Sequence, residues 1–227
     1  MTDFAPKWFP ETKQLADFKT PKLSLDLYTP DDVEFCQNSV SRWEVAQFLA
    51  SVPHPYPEGG AAAFQSVCEQ GFADKTALVW IVSDRETGAR LGLVGLDTKP
   101  GENRPWHLGY WFAPEAWGRG VATEAAFHVL TFGFQFMELP SIQSGVVQVN
   151  HASKRVLEKC GFEQWIEAPL ETAHSGVVPQ FETSLTRANF DEFVFSGGCT
   201  FQPQLDRNVP VVWVVAAALF NEKEEVL

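Results

Sequence analysis

The chain is poor in positive charge: 17 lysines and arginines stand against 29 aspartates and glutamates in 227 residues, a formal net charge of −12. Nucleic acid is therefore a poor default partner, because phosphate neutralisation needs clustered Lys and Arg. A cationic ligand would be attracted, although such a balance also serves solubility alone. Cysteine is scarce as well. Cys36, Cys68, Cys160 and Cys199 form no C-x-x-C pair and have no histidine at ligand spacing, which argues against a metal site and against a disulfide framework and suits a reducing cytoplasm. No apolar run reaches the roughly 18 residues of a membrane span, and Val209 to Phe220, the longest, is too short. The opening MTDFAPKWFPETKQ lacks the basic head and apolar run of a leader. A cytoplasmic protein without a nucleic-acid or membrane partner is expected.

What is present is ordinary globular material, with 45% hydrophobic and 20% charged residues, so a packed core follows. The length suits one domain of about 150–200 residues with an appendage. Residues 1–20, broken by Pro6 and Pro10 and followed by Pro21, read as an arm. Leu23, Leu25 and Leu27 alternate with Ser24 and Asp26, predicting a strand over Lys22–Tyr28. Thr29, Pro30, Asp31 and Asp32 then open a helix to about Asn38. A second helix is predicted over Arg42–Ala50, a loop through Pro53, Pro55 and Pro57, and a third helix over Glu58–Gln70. Thr76–Ser83 and Arg90–Asp97 read as an antiparallel hairpin, followed by a strand at Trp106–Phe112 and a long helix from Val121 to Glu138. A strand at Ile142–Val149, a helix at His151–Cys160 ended by Gly161, and a closing strand at Val178–Arg187 complete a mixed α+β pattern.

The most informative stretch runs from Gly109 to Ala125, GYWFAPEAWGRGVATEA. It reads as strand, glycine turn, then helix. Gly118 and Gly120 permit close approach of a ligand to the backbone, and the unpaired amides at the helix start favour a pyrophosphate, with Arg119 adding a charge. The same turn also suits a plain strand-to-helix connection. A dinucleotide fingerprint would need glycine where Thr123 stands, and the G-K-[ST] of a P-loop is missing.

These residues resemble the GNAT family of N-acetyltransferases, and within it the RimJ/RimL branch that includes ribosomal-protein N-terminal acetyltransferases. The family's coenzyme motif, [QR]-x-x-G-x-[GA], maps onto Trp117-Gly118-Arg119-Gly120-Val121-Ala122, where Trp117 departs from the broad family but agrees with the branch. A second match begins at Asn150, NHASKRVLEKCGF, which fits the branch pattern N-x-x-S-x-x-x-x-x-K-x-G-F. The resemblance covers roughly residues 21–190 and implies a splayed mixed sheet flanked by helices. It also implies acetyl-CoA as cosubstrate, held by Trp111, Phe112 and Ala113 along the strand, by Trp117 to Thr123 at the turn, and by Asn150. The acetyl carbonyl would lie near the backbone amide around Phe112, where a fixed donor stabilises a developing oxyanion.

Ser153 matches the branch's proton donor to the departing thiolate, while Asn150 and Ser153 could equally cap the helix that follows them. The candidates for the base that relieves the attacking amine of its proton are Glu115, His107 and His151. Tyr110, Phe132, Phe134 and Phe136 read as packing residues. The expected acceptor is a primary amine, on a protein N-terminus or a small molecule, in a pocket lined by residues 51–60 and neighbouring helices. The alternative is a noncatalytic acetyl-CoA-binding module, and either would be a monomer or homodimer.

Beyond the transferase, residues 191–208 read as a linker containing Ser196-Gly197-Gly198, and 209–227 as an extra strand whose pattern resembles the opening hairpin of a Nudix hydrolase without its catalytic box. Residues after about Asn189 are thus expected to be dispensable for acetyl-CoA binding.

Overall fold

Period-two alternation builds the first sheet strands. The computed structural model describes residues 2–99 and 101–198. Strand β1 (Phe18–Lys19) pairs with β2 (Leu23–Leu27), in which all three leucines are buried. β2 pairs antiparallel with β3 (Ala77–Asp84), which forms a hairpin with β4 (Arg90–Asp97). Its turn is closed by Asp84, whose Oδ1 accepts the amides of Glu86 at 3.0 Å and Thr87 at 3.1 Å. β4 pairs antiparallel with β5 (Trp106–Phe112).

The chain then leaves the sheet through helix α5 (Val121–Thr131) and a π-helical turn (Phe132–Phe136) where one long helix was predicted. It returns as β6 (Ser141–Val147), crosses α6 (His151–Glu158), and closes with the hairpin of β7 (Ile166–Thr172) and β8 (Gly176–Thr186). The sheet order is β1-β2-β3-β4-β5-β6-β8-β7. Among the described strands every pairing is antiparallel except β5 with β6, and that parallel contact is confined to Trp106 opposite Ile142 and His107 opposite Gln143. Beyond those residues the two strands part, and the sheet is splayed as expected. Among the described residues, no helix is long and apolar enough to cross a membrane.

One face of the sheet carries the main core, where the fully buried Phe127, Phe132 and Phe134 of the α5 region meet Trp80, Leu96, Trp106 and Leu108. The other face carries a smaller cluster of Tyr28, Ile81 and Leu93 under helices α2 (Val33–Val40) and α4 (Gly60–Ala73), with Cys36, Ala61 and Cys68. The helix predicted over Arg42–Ala50 shortens to one turn, α3 (Trp43–Ala46).

Two boundary expectations are corrected. The supposed arm contributes a short helix, α1 (Lys13–Ala16), strand β1, and the buried Phe9, Ala16 and Phe18. Phe18 stacks on Phe132 at 5.8 Å, the Trp80 indole donates to the Ala16 carbonyl at 2.9 Å, and Thr20 Oγ1 donates to the buried Glu124 on α5. The prolines break regular structure without removing these anchors from the core. At the other end, the supposed linker begins inside helix α7 (Arg187–Phe195), capped by Thr186 Oγ1, which accepts the Asn189 amide at 3.2 Å. Its Phe190 is 1% exposed, with ring centroids 5.6 Å from Phe127 and 4.9 Å from Phe134. Phe190, the residue after Asn189, is therefore part of the core, so a chain ending at Asn189 would lose a core side chain. The extra strand and Nudix-like pattern predicted for 209–227 lie outside the described residues.

Candidate active site

The divergence of β5 from β6 creates the site. The Ala113 amide donates to Leu91 O at 2.9 Å, which fixes the phase of the β4–β5 ladder. In an antiparallel ladder, alternate residues turn both backbone groups to the same neighbour. Trp111 opposite Leu93, and Ala113, therefore face β4, while Leu108, Tyr110 and Phe112 present N–H and C=O toward the gap. At its closed end Ser144 Oγ of β6 donates to Leu108 O at 2.9 Å. At its open end the Trp117 indole donates to Phe112 O at 2.7 Å, so the Phe112 amide stands at the mouth beside a clamped carbonyl. Gly92 lies opposite Phe112, and a Cβ there would come within 2.4 Å of Trp111 O, so only glycine lets β4 run this close to the end of β5.

Of the strand residues expected to hold coenzyme, Phe112 lies on the gap. The backbone groups of Trp111 and Ala113 face β4 instead, and the Trp111 ring stacks on Phe35 of α2 at 5.9 Å. Tyr110, assigned to packing from sequence, does pack against the main core, and its backbone also lies on the gap edge. The signal that could have found it is the strand's alternation, once one ladder bond is known.

After β5, a turn carries the chain into α5. Gly118 and Gly120 have φ of +72° and +79°, a region that disfavours any side chain, and a Cβ at Gly120 would meet nothing within 4 Å. Helical hydrogen bonding begins with the Glu124 amide donating to Gly120 O at 3.0 Å, so the amides of Val121, Ala122 and Thr123 point out of the helix start. Arg119 lies beside them, its guanidinium 3.4 Å from Asp84 Oδ2. This donor set fits a pyrophosphate, and the strand edge fits the amide-bearing arm of a coenzyme.

The opposite wall is the start of α6. Asn150 Oδ1 accepts the Ser153 amide at 3.1 Å, so Asn150 is the N-cap of that helix. Ser153 Oγ lies 2.9 Å from the Tyr110 hydroxyl, which reaches it from the β5 side. Asn150 and Ser153 thus share one turn of backbone, met by a tyrosine from the facing strand.

Arg42, at the start of α3, reaches the turn that follows β5. Arg42 Nη1 and Glu115 Oε1 are 2.6 Å apart, and this pairing holds the Glu115 carboxyl below the usual carboxylate range. Such a group is a weak acceptor of a proton from an ammonium. His107 is corrected as a base candidate: it lies where β5 and β6 are still paired, about 17 Å along the strand from Phe112 at roughly 3.4 Å per residue. Burial pushes its pKa down, with Asp97 opposing. His151 is exposed at the first position of α6. The turn between β7 and β8 approaches the 51–60 side through the Ala173 amide, which donates to Ala50 O at 2.8 Å, and His174 and His54 both pack on Trp43, at 5.3 and 4.9 Å. Sequence gave no sign that these three rings meet.

A family model described as an acetyltransferase (GNAT) domain matches residues 22–163. An uncharacterized N-acetyltransferase of Bacillus subtilis, YoaA, is 27% identical over 146 residues, 64% of this chain and 82% of YoaA. Among solved structures, a ribosomal-protein-S5-alanine acetyltransferase from Vibrio fischeri superposes with a TM-score of 0.64 at 19% identity, over 77% of this chain and 98% of that one. A spermidine N-acetyltransferase from Vibrio cholerae, in complex with CoA and spermine, gives 0.62 at 19% identity, over 74% and 97%.

Proposed function

The chain belongs to the GNAT acetyltransferase family, and from that premise we propose that it transfers the acetyl group of acetyl-CoA to a primary amine, on a protein N-terminus or a small basic molecule, by direct attack in a ternary complex. The observation that carries this reading is the coenzyme-shaped donor line from Tyr110 and Phe112 to the α5 amides. Acetyl-CoA supplies the activated acyl group and a thiolate as the leaving group. Tyr110 N–H and C=O hold the arm, the amides of Val121 to Thr123 with Arg119 hold the pyrophosphate, and the Phe112 amide faces the oxygen on which charge develops. Ser153 donates a hydrogen bond to the departing sulfur. Asn150 fixes Ser153 through its Oδ1 and offers its Nδ2 to coenzyme or acceptor.

The amine enters past Arg42 and Glu115, from a pocket lined by the 51–60 segment and neighbouring helices. Glu115, kept ionised by Arg42, draws a cationic acceptor inward, and the amine proton leaves through water. Two known relatives by fold bear names for a protein alanine and for spermidine, and both acceptors are amines. Thiol release measured across a panel of N-terminal peptides and polyamines tests the reading. Amine-dependent release is expected for at least one member, and acetyl-CoA binding without release on any amine would leave a noncatalytic module.

Ser153→Ala should lower kcat by about 10²-fold, the upper range for losing a hydrogen bond to a charged group, while acetyl-CoA binds as before. An unchanged kcat would reduce Ser153 to a helix residue.

A further inference from the structure

Tyr110 serves the cleft twice. Its backbone lies on the gap edge of β5, and its side chain crosses to the facing wall, with the hydroxyl 2.9 Å from Ser153 Oγ, where either oxygen can donate, and also within donating reach of Ser153 O at the longer distance of 3.2 Å. Helix α6, HASKRVLE, carries no other hydroxyl. A hydroxyl has one proton and two lone pairs, so a serine whose oxygen already accepts a hydrogen bond keeps its proton for another acceptor.

We infer that Tyr110 is a positioning residue for cleavage of the thioester: its hydroxyl donates to Ser153 Oγ and so holds the Ser153 proton toward the departing sulfur. The inference rests on the reading of Ser153 as the donor to that sulfur. As the C–N bond forms and the C–S bond breaks, the electron pair passes to sulfur and the amine proton passes to water. Ser153 and Tyr110 donate hydrogen bonds and keep their protons. Burial pushes the Tyr110 phenol up, so the group stays protonated and has a proton to donate over the working pH range.

The test compares Tyr110→Phe, Ser153→Ala and the double variant, each checked for an unchanged melting temperature. Tyr110→Phe should lower kcat about tenfold, the worth of one lost hydrogen bond, with KM for acetyl-CoA unchanged. In the Ser153→Ala background the same change should have no further effect, since the two hydroxyls act as one chain. Slow hydrolysis of acetyl-CoA without amine breaks the same C–S bond and should show the same pattern. Independently of turnover, the Cζ resonance of isotope-labelled Tyr110 should shift on Ser153→Ala. Wild-type kcat in Tyr110→Phe, a full tenfold loss in the Ser153→Ala background, or an unmoved resonance overturns the inference. A wild-type protein that acetylates no amine yet hydrolyses the thioester in a Tyr110-dependent way would refute the acceptor reading and leave this one standing. Hydrolysis and transfer both absent would overturn both.

Discussion

Ending the chain after Asn189 is expected to cost the fold about 3–5 kcal/mol, the range for deleting a buried phenylalanine side chain, and so to lower the melting temperature by roughly 10 °C. The cause is Phe190, which is 1% exposed and lies against Phe127 and Phe134. Phe127 belongs to α5, whose first turn forms the proposed pyrophosphate site, so the loss should reach the coenzyme as weakened binding. Phe190→Ala in the full chain should reproduce most of the effect. Ending the chain after Gly198 keeps α7 whole and should leave melting and binding unchanged. Thermal unfolding of the three proteins decides the matter, and a stable protein ending at Asn189 would show that α7 contributes nothing to the core.

Gly120→Glu should weaken acetyl-CoA binding by about 10³-fold. One carboxylate about 4 Å from a phosphate charge is opposed by roughly 4 kcal/mol at an effective dielectric of 20, and every 1.4 kcal/mol is tenfold in affinity. The backbone adds strain, because Gly120 has φ of +79°, where a side chain costs about 1–2 kcal/mol. Gly120→Ala separates the two contributions. Its Cβ would meet no protein atom within 4 Å, so it carries the strain without the charge and should lose stability while keeping most of the affinity. Calorimetric titration of both variants with acetyl-CoA reads the difference, and Gly120→Glu binding as tightly as wild type would move the pyrophosphate elsewhere.

The parts legible in the sequence were those with a strong local rule. β5 was readable to its ends at Trp106 and Phe112, because aromatic and apolar residues fill it and a proline lies close on either side. The β3–β4 hairpin was readable from its Asp84-to-Gly88 turn. The strand-to-helix turn was readable from Gly118 and Gly120, and in it both adopt left-handed backbone. What escaped depends on relations between segments. Whether Tyr110 or Trp111 faces the gap is a question of ladder phase, decided by the Ala113–Leu91 bond and invisible in a strand where both residues are aromatic. Phe9 and Phe18 enter the core singly from a proline-broken segment, and Phe190 from a helix of weak amphipathicity, so none shows a period. Glu115 looked available as a base because its partner Arg42 lies 73 residues away in sequence.

Hydrogen–deuterium exchange of the whole chain with and without acetyl-CoA tests the central claim, that coenzyme lies along the gap edge of β5 and over the start of α5. The predicted result is protection of the Tyr110 and Phe112 amides and of residues 118–123, with Trp111, Ala113 and strands β2 and β3 unchanged. Tight binding that protects neither β5 nor the start of α5 would contradict it.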